Sequence, residues 1–151
     1  PEHLVDAFGA IRRLTDTHPS TLAQPALAEF IGDGSLTGHI RRMRALYAER
    51  QAMLLDAAGR HLGDRLSLKP GEAGMHLVGY LPPGTDDRAI ATRARERGVE
   101  VTPLAALYQG EPDRAGLLLG YAGLTKGEIE TGMKTLARCF EEVVADRERM
   151  P

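Results

Sequence analysis

From Leu36 to Leu62 the chain holds one apolar stripe for about seven helical turns, and that stripe limits what the rest of the sequence can build. Leu36, Ile40, Met43, Tyr47, Leu54, Ala58 and Leu62 recur at near-heptad spacing, while Arg41, Arg42, Arg44, Glu49 and Arg50 fall on the other face. A helix this long in a chain of 151 residues is expected to bridge two packing units.

The flanks differ in kind. On the N-terminal side Leu4, Phe8, Ile11 and Leu14 stripe a short helix that His18-Pro19-Ser20 breaks, because a residue before proline is pushed out of the helical region. Ser20 or Thr21 caps a second short helix through Leu27, Phe30 and Ile31, with Pro25 imposing a late start or a kink. Gly32-Asp33-Gly34 ends it, and Ser35 or Thr37 caps the long helix.

After Lys69-Pro70-Gly71 the pattern changes. Met75 to Leu81 is a short apolar run closed by Pro82-Pro83-Gly84, which reads as a strand. Thr85, Asp86 or Asp87 caps a helix that carries Ile90, Ala91 and Ala94 and stops at Gly98. Val99 and Val101 give a brief second strand ending at Pro103, and Leu117 to Tyr121 gives a third. Thr125 with Glu128 forms a capping box before a final helix striped by Ile129, Met133, Leu136, Phe140 and Val143 or Val144. The expected fold class is α+β, with N-terminal helices, a long connecting helix and then a strand–helix–strand–strand–helix unit. The sharp change in composition falls at residues 63–74.

Composition excludes several classes. With 42% apolar and 26% charged residues the chain is an ordinary globular one, and a formal net charge of -2 argues against an autonomous nucleic-acid module. No apolar run approaches the roughly 20 residues of a membrane span, and no signal peptide opens the sequence. A single cysteine excludes an internal disulfide and fits a reducing cytoplasm. The sequence opens at Pro1 instead of a methionine, which suggests processing or a fragment.

Little in the chain is marked out for chemistry. His3, His18, His39, His61 and His76 do not pair at metal-ligand spacing, so structural or surface roles are expected for them and no metal. Cys139 lies beside the apolar stripe of the last helix and is expected to pack as a small hydrophobe. Gly32, Gly34 and Gly38 follow a helix, not a strand, which suits turns and caps better than a phosphate loop. The Arg41, Arg42, Arg44 and Arg50 cluster reads as a solvated helix face. There is no Gly-x-Ser-x-Gly elbow and no marked carboxylate pair, hence no self-sufficient active site and no catalytic residue.

Several stretches together resemble the C-terminal third of MocR-type regulators of the GntR family. They are Pro1-Glu2; Gln24-x-x-Leu27-Ala28-Glu29-Phe30-Ile31; Gly38-His39-Ile40-Arg41-Arg42-Met43-Arg44-x-x-Tyr47-x-x-Arg50; Gly74-Met75-His76-Leu77; Gly98-Val99-x-Val101-x-Pro103-Leu104; and Leu117 to Ala122. Such proteins join a winged-helix DNA-binding domain to a domain similar to fold-type-I aminotransferases, which use pyridoxal phosphate (PLP). The resemblance implies that residues 1–35 are a helical remnant of the large PLP-binding domain, 36–73 a connecting helix and linker, and 74–151 the small domain. It leaves apolar surface on the first two helices exposed.

The family's Schiff-base lysine lies upstream of the stretch resembling Pro1-Glu2, and Lys69, Lys126 and Lys134 do not match its segment. PLP is therefore expected in the parent protein but not on this chain alone. Aminotransferases of this fold place a carboxylate-forking arginine on the strand resembling Leu117–Tyr121, and here that region is Leu117-Leu118-Leu119. Arg114, just before the strand, and Tyr108, in a loop that faces the active site in relatives, are the candidate substrate or effector residues. The resemblance further implies a cytoplasmic homodimer, DNA contact only through a domain outside this chain, and PLP or a small amino compound as effector. The rival readings are the C-terminal part of a true aminotransferase acting on an amino acid, and a stand-alone interaction module.

Overall fold

A computed structural model describes residues 1–15, 20–110 and 112–149. The expected break at His18-Pro19 lies outside the described residues. Two compact units form, Pro1–Met43 and Arg44–Pro151.

The first unit contains α1 (Glu2–Thr15), α2 (Ala23–Gly32) and the opening turns of α3 (Ser35–His61). No residue of α1 or α2 is buried, and Phe8, Ile11, Leu14, Leu27 and Ile31 all stand exposed, as expected. The late start of α2 is also present. Ser20 Oγ accepts from the Ala23 amide at 3.2 Å, and Pro25 sits in the first turn, where its missing amide costs no helical bond. At the start of α3 it is Asp33, not Ser35 or Thr37, whose side chain accepts a free amide, that of Ser35 at 2.8 Å.

The second unit is the expected α+β assembly. Its elements are β1 (Ser67–Leu68), β2 (His76–Tyr80), α4 (Asp87–Glu96), β3 (Thr102–Pro103), β4 (Gly116–Gly120) and α5 (Lys126–Arg149). The strands form one antiparallel sheet in the order β1-β2-β4-β3. Two details correct the sequence reading. β1 adds a short edge strand within the stretch read as linker, pairing Ser67 with Tyr80 and Leu68 with Gly79. β3 begins at Thr102 because Val99 is used elsewhere: its amide bonds Ala94 O at 2.9 Å across Gly98, whose φ is 76°. That is a Schellman stop, which only a residue tolerant of the left-handed region closes without strain. Pro103, lacking an amide hydrogen, fits an edge strand.

One core holds this unit together. Leu54, Ala57 and Ala58 of α3 and Leu62 just after it join Leu77, Ile90, Ala94, Leu117, Leu119, Leu136 and Phe140, with Cys139 buried among them. Asp86 caps α4 by accepting from Ala89 N at 3.0 Å. The Thr125–Glu128 capping box forms in both directions, at 2.7 Å and 3.3 Å.

The end of α3 is also clamped to α5 by charge. Arg60 and His61 each reach Glu130 at 2.7 Å, and Lys134 adds a third contact at 3.4 Å. Arg60 first, then His61, hold the Glu130 carboxyl at about 2, below its ordinary 4.5. A carboxylate depressed in the folded state stabilises above its unfolded pKa and loses that contribution as pH falls through the folded one. The stability difference between the parent and Glu130→Gln should thus be full above about pH 4.5 and shrink toward pH 2. Urea midpoints across that window test it, and a difference constant with pH would exclude the clamp as its source.

Candidate functional site

Alternation along the register sorts the strand side chains into two faces. Leu77, Leu117 and Leu119 are buried in the core. On the opposite face Leu118 stands across from Val78 on one side and Thr102 on the other, and all three are half-buried. The three leucines are thus not equivalent: Leu118 alone holds the middle of the open face. Where the resemblance calls for a carboxylate-forking arginine, this strand presents an aliphatic side chain.

The two candidate effector residues lie in the connection that feeds β4. Arg114 lays its guanidinium over the Tyr80 ring, 4.4 Å from the centroid, at the sheet end where Tyr80 pairs with Gly116. Tyr108 follows a short 3-10 turn, Leu104–Ala106, and is 44% exposed. Its neighbour Leu107 is exposed as well.

The feet of that connection are fixed by a residue the sequence marked only as one of three possible caps. Asp87 is 4% exposed, and its Oδ2 accepts from both Ala105 N and Gly116 N at 3.2 Å. Arg88 donates to Ala105 O at 2.8 Å, and Leu81 N donates to Ala115 O at 3.0 Å. Asp87 opens α4, where the helix dipole favours a negative charge. No sequence signal separated it from Thr85 and Asp86, since its partners lie far along the chain.

The other end of the sheet is tied to α3. The Tyr121 hydroxyl donates to Gly74 O at 3.0 Å and accepts from Gln51 Nε2 at 3.1 Å, while Gln51 also donates to Gly71 O at 3.1 Å. Arg50 donates to Ala122 O. It is half-buried, so it leaves the solvated arginine face to which its spacing assigned it. An open cleft of about 760 Å³ lies at this end, walled by His76, Arg97, Glu100, Tyr121, Glu128 and Thr131. Two of its charged walls are already committed, Arg97 to Glu142 at 2.8 Å and Glu128 to Thr125.

The three lysines fare poorly as cofactor anchors. Lys69 and Lys126 are exposed, and Lys134 is exposed and paired with Glu130. None lies in the cleft or at the Tyr80–Arg114 end. Among the described residues no three His, Cys, Asp or Glu side chains gather as a metal site, and no helix is long and apolar enough to cross a membrane.

No protein-family model matches the chain. It is 37% identical over 140 residues to a probable rhizopine catabolism regulatory protein, MocR, of Rhizobium meliloti, covering 93% of this chain and 28% of that protein. It is 34% identical to an HTH-type transcriptional regulator, YdeL, of Bacillus subtilis, covering 93% of this chain and 30% of the regulator. The crystal structure of LysN, an alpha-aminoadipate aminotransferase of Thermus thermophilus, matches with a TM-score of 0.83 at 26% identity, over 96% of this chain and 37% of that one. The chain thus spans about three tenths of the length of the regulators it matches.

Proposed function

For a chain that is aminotransferase-like in fold and MocR-like in sequence, we propose the role of C-terminal part in a PLP-binding transcription regulator, with no catalysis of its own. The observation that carries this reading is the match to regulators at 37% and 34% identity, above the 26% to the aminotransferase LysN. Leu118 supports it, because an aliphatic residue cannot fork onto a substrate carboxylate.

In this reading the exposed faces of α1 and α2 pack on the large domain, and the sheet unit is the small domain. The protein acts as a homodimer and contacts DNA through a winged-helix domain ahead of the PLP domain. PLP, when bound in such a parent, supplies an electron sink for amino compounds. The residues present here do not fit that group: each lysine is exposed or ion-paired, and none stands among the polar groups that could hold a phosphate or a pyridine nitrogen.

Adding PLP to the chain should give no aldimine band near about 400–430 nm and no single borohydride-trapped lysine. A stoichiometric adduct on Lys69, Lys126 or Lys134 would sink the claim that the chain is inert. The rival reading, a true aminotransferase, is favoured by the TM-score of 0.83 to LysN. The preceding sequence of the gene separates the two: the regulator needs a winged-helix region there, and the enzyme does not.

A further inference from the structure

We infer that residues 69–75, which connect β1 to β2, form a releasable strap on the rim of the open cleft. Gln51 and Tyr121 latch it, and breaking their relay opens the strap while the core stays folded. The inference goes beyond the regulator reading and uses neither PLP nor DNA.

Little else holds this segment. Lys69, Pro70, Glu72, Ala73, Gly74 and Met75 are exposed and Gly71 is half-buried, so opening uncovers little apolar surface. From Gly71 to Gly74 no backbone amide donates a hydrogen bond among the described residues. The bonds that do reach the strap end on its carbonyl oxygens. Gln51 Nε2 donates to Gly71 O at 3.1 Å, the Tyr121 hydroxyl to Gly74 O at 3.0 Å, and Tyr121 N to Met75 O at 3.1 Å. A segment tied by a few bonds and no buried side chain opens locally, well below the cost of global unfolding.

The two side chains act as one relay. Gln51 Nε2 also donates to the Tyr121 hydroxyl at 3.1 Å, so both protons of its amide are committed. That hydroxyl accepts from Gln51 and donates to Gly74 O, which sets the groups head to tail, each bond polarising the next. Tyr121 is 1% exposed, so its ring anchors one end of the relay in the core, while Gln51 anchors the other on α3. Met75, at the end of the strap, and Tyr121 both wall the cleft of about 760 Å³. Opening the strap therefore takes away part of one wall and bares the hydroxyl that held it.

Proteolysis reads the strap directly, because a Glu-specific protease needs the chain around Glu72 unlatched and extended before it cuts. In the 151-residue chain, cleavage between Glu72 and Ala73 should barely change up to about 1 M urea, since a local opening exposes little surface. Exchange at the Leu119 amide, inside β4, should accelerate over the same range. Tyr121→Phe keeps the buried ring and Gln51→Met keeps the side-chain length. Each should speed the cut about tenfold, the size expected for the hydrogen bonds lost. Together they should fall clearly short of the roughly hundredfold product, since either one breaks the same relay. Cleavage that climbs with urea in parallel with Leu119 exchange would mean that the strap opens only with the whole unit, and would overturn the proposal. Unchanged cleavage in a folded Tyr121→Phe or Gln51→Met would remove the latch, and a double variant at the full product would remove the relay. Should one variant not fold, the other decides. A trapped PLP adduct leaves the strap standing, and loss of the latch leaves the regulator reading intact.

Discussion

Asp87→Ala is expected to destabilise the Arg44–Pro151 unit by about 4 kcal/mol in urea unfolding of the chain. Two effects add. The substitution removes two hydrogen bonds to a charged acceptor, each contributing about 1.5–3 kcal/mol. It also leaves the amides of Ala105 and Gly116 without that partner at buried positions. Asp87→Leu, which keeps the branched skeleton and loses no volume but has no acceptor, should do at least as badly, which separates the lost bonds from a lost volume. Asp87→Asn keeps one carbonyl oxygen for both amides and should lose about half as much. A loss below about 1 kcal/mol in the alanine variant would mean that water or a shifted backbone satisfies the two donors.

Local chemistry explains why some elements were legible and others were not. The Thr125–Glu128 box, the stop at Gly98 and the His76–Tyr80 strand each follow from residues within a few positions of one another, and all are present. The two-residue β1 carries no alternation to detect; it exists because Tyr80 and Gly79 offer it an edge. Val99 and Val101 read as a strand by their alternation with Glu100 and Thr102, but the helix stop claimed the Val99 amide first. Asp87 and Arg50 are long-range in the same sense. Their partners, Ala105, Gly116 and Ala122, offer only backbone groups, and a backbone group leaves no trace in the sequence. Arg114 stands out in the sequence by its place just before the strand, while the ring that holds it, Tyr80, becomes visible only through the β2–β4 register.

Gly116→Ala is expected to cost about 3 kcal/mol, close to the effect of losing the clamp it touches. A Cβ built there would stand 2.6 Å from Leu104 Cδ1 and 2.8 Å from Gly79 O. The leucine can rotate away, but the carbonyl belongs to β2, whose Gly79 is paired with Leu117, the next residue along β4. Relief therefore has to come from the strand pair itself, at the point where Gly116 N meets Asp87. Gly120 provides the control. A Cβ there meets only the ring of the exposed His76, at 3.2 Å, and that side chain is free to turn. Neither glycine has a positive φ, so backbone strain is common to neither variant, and alanine gains slightly from a stiffer unfolded chain. Gly120→Ala should accordingly stay within about 0.5 kcal/mol of the parent while Gly116→Ala falls well below it. Because the clash and the clamp share one amide, Gly116→Ala should also raise exchange at Ala105, on the far foot of the connection. A variant that is destabilised but keeps Ala105 protected would show that the two feet are held independently, and that Asp87 does not couple them.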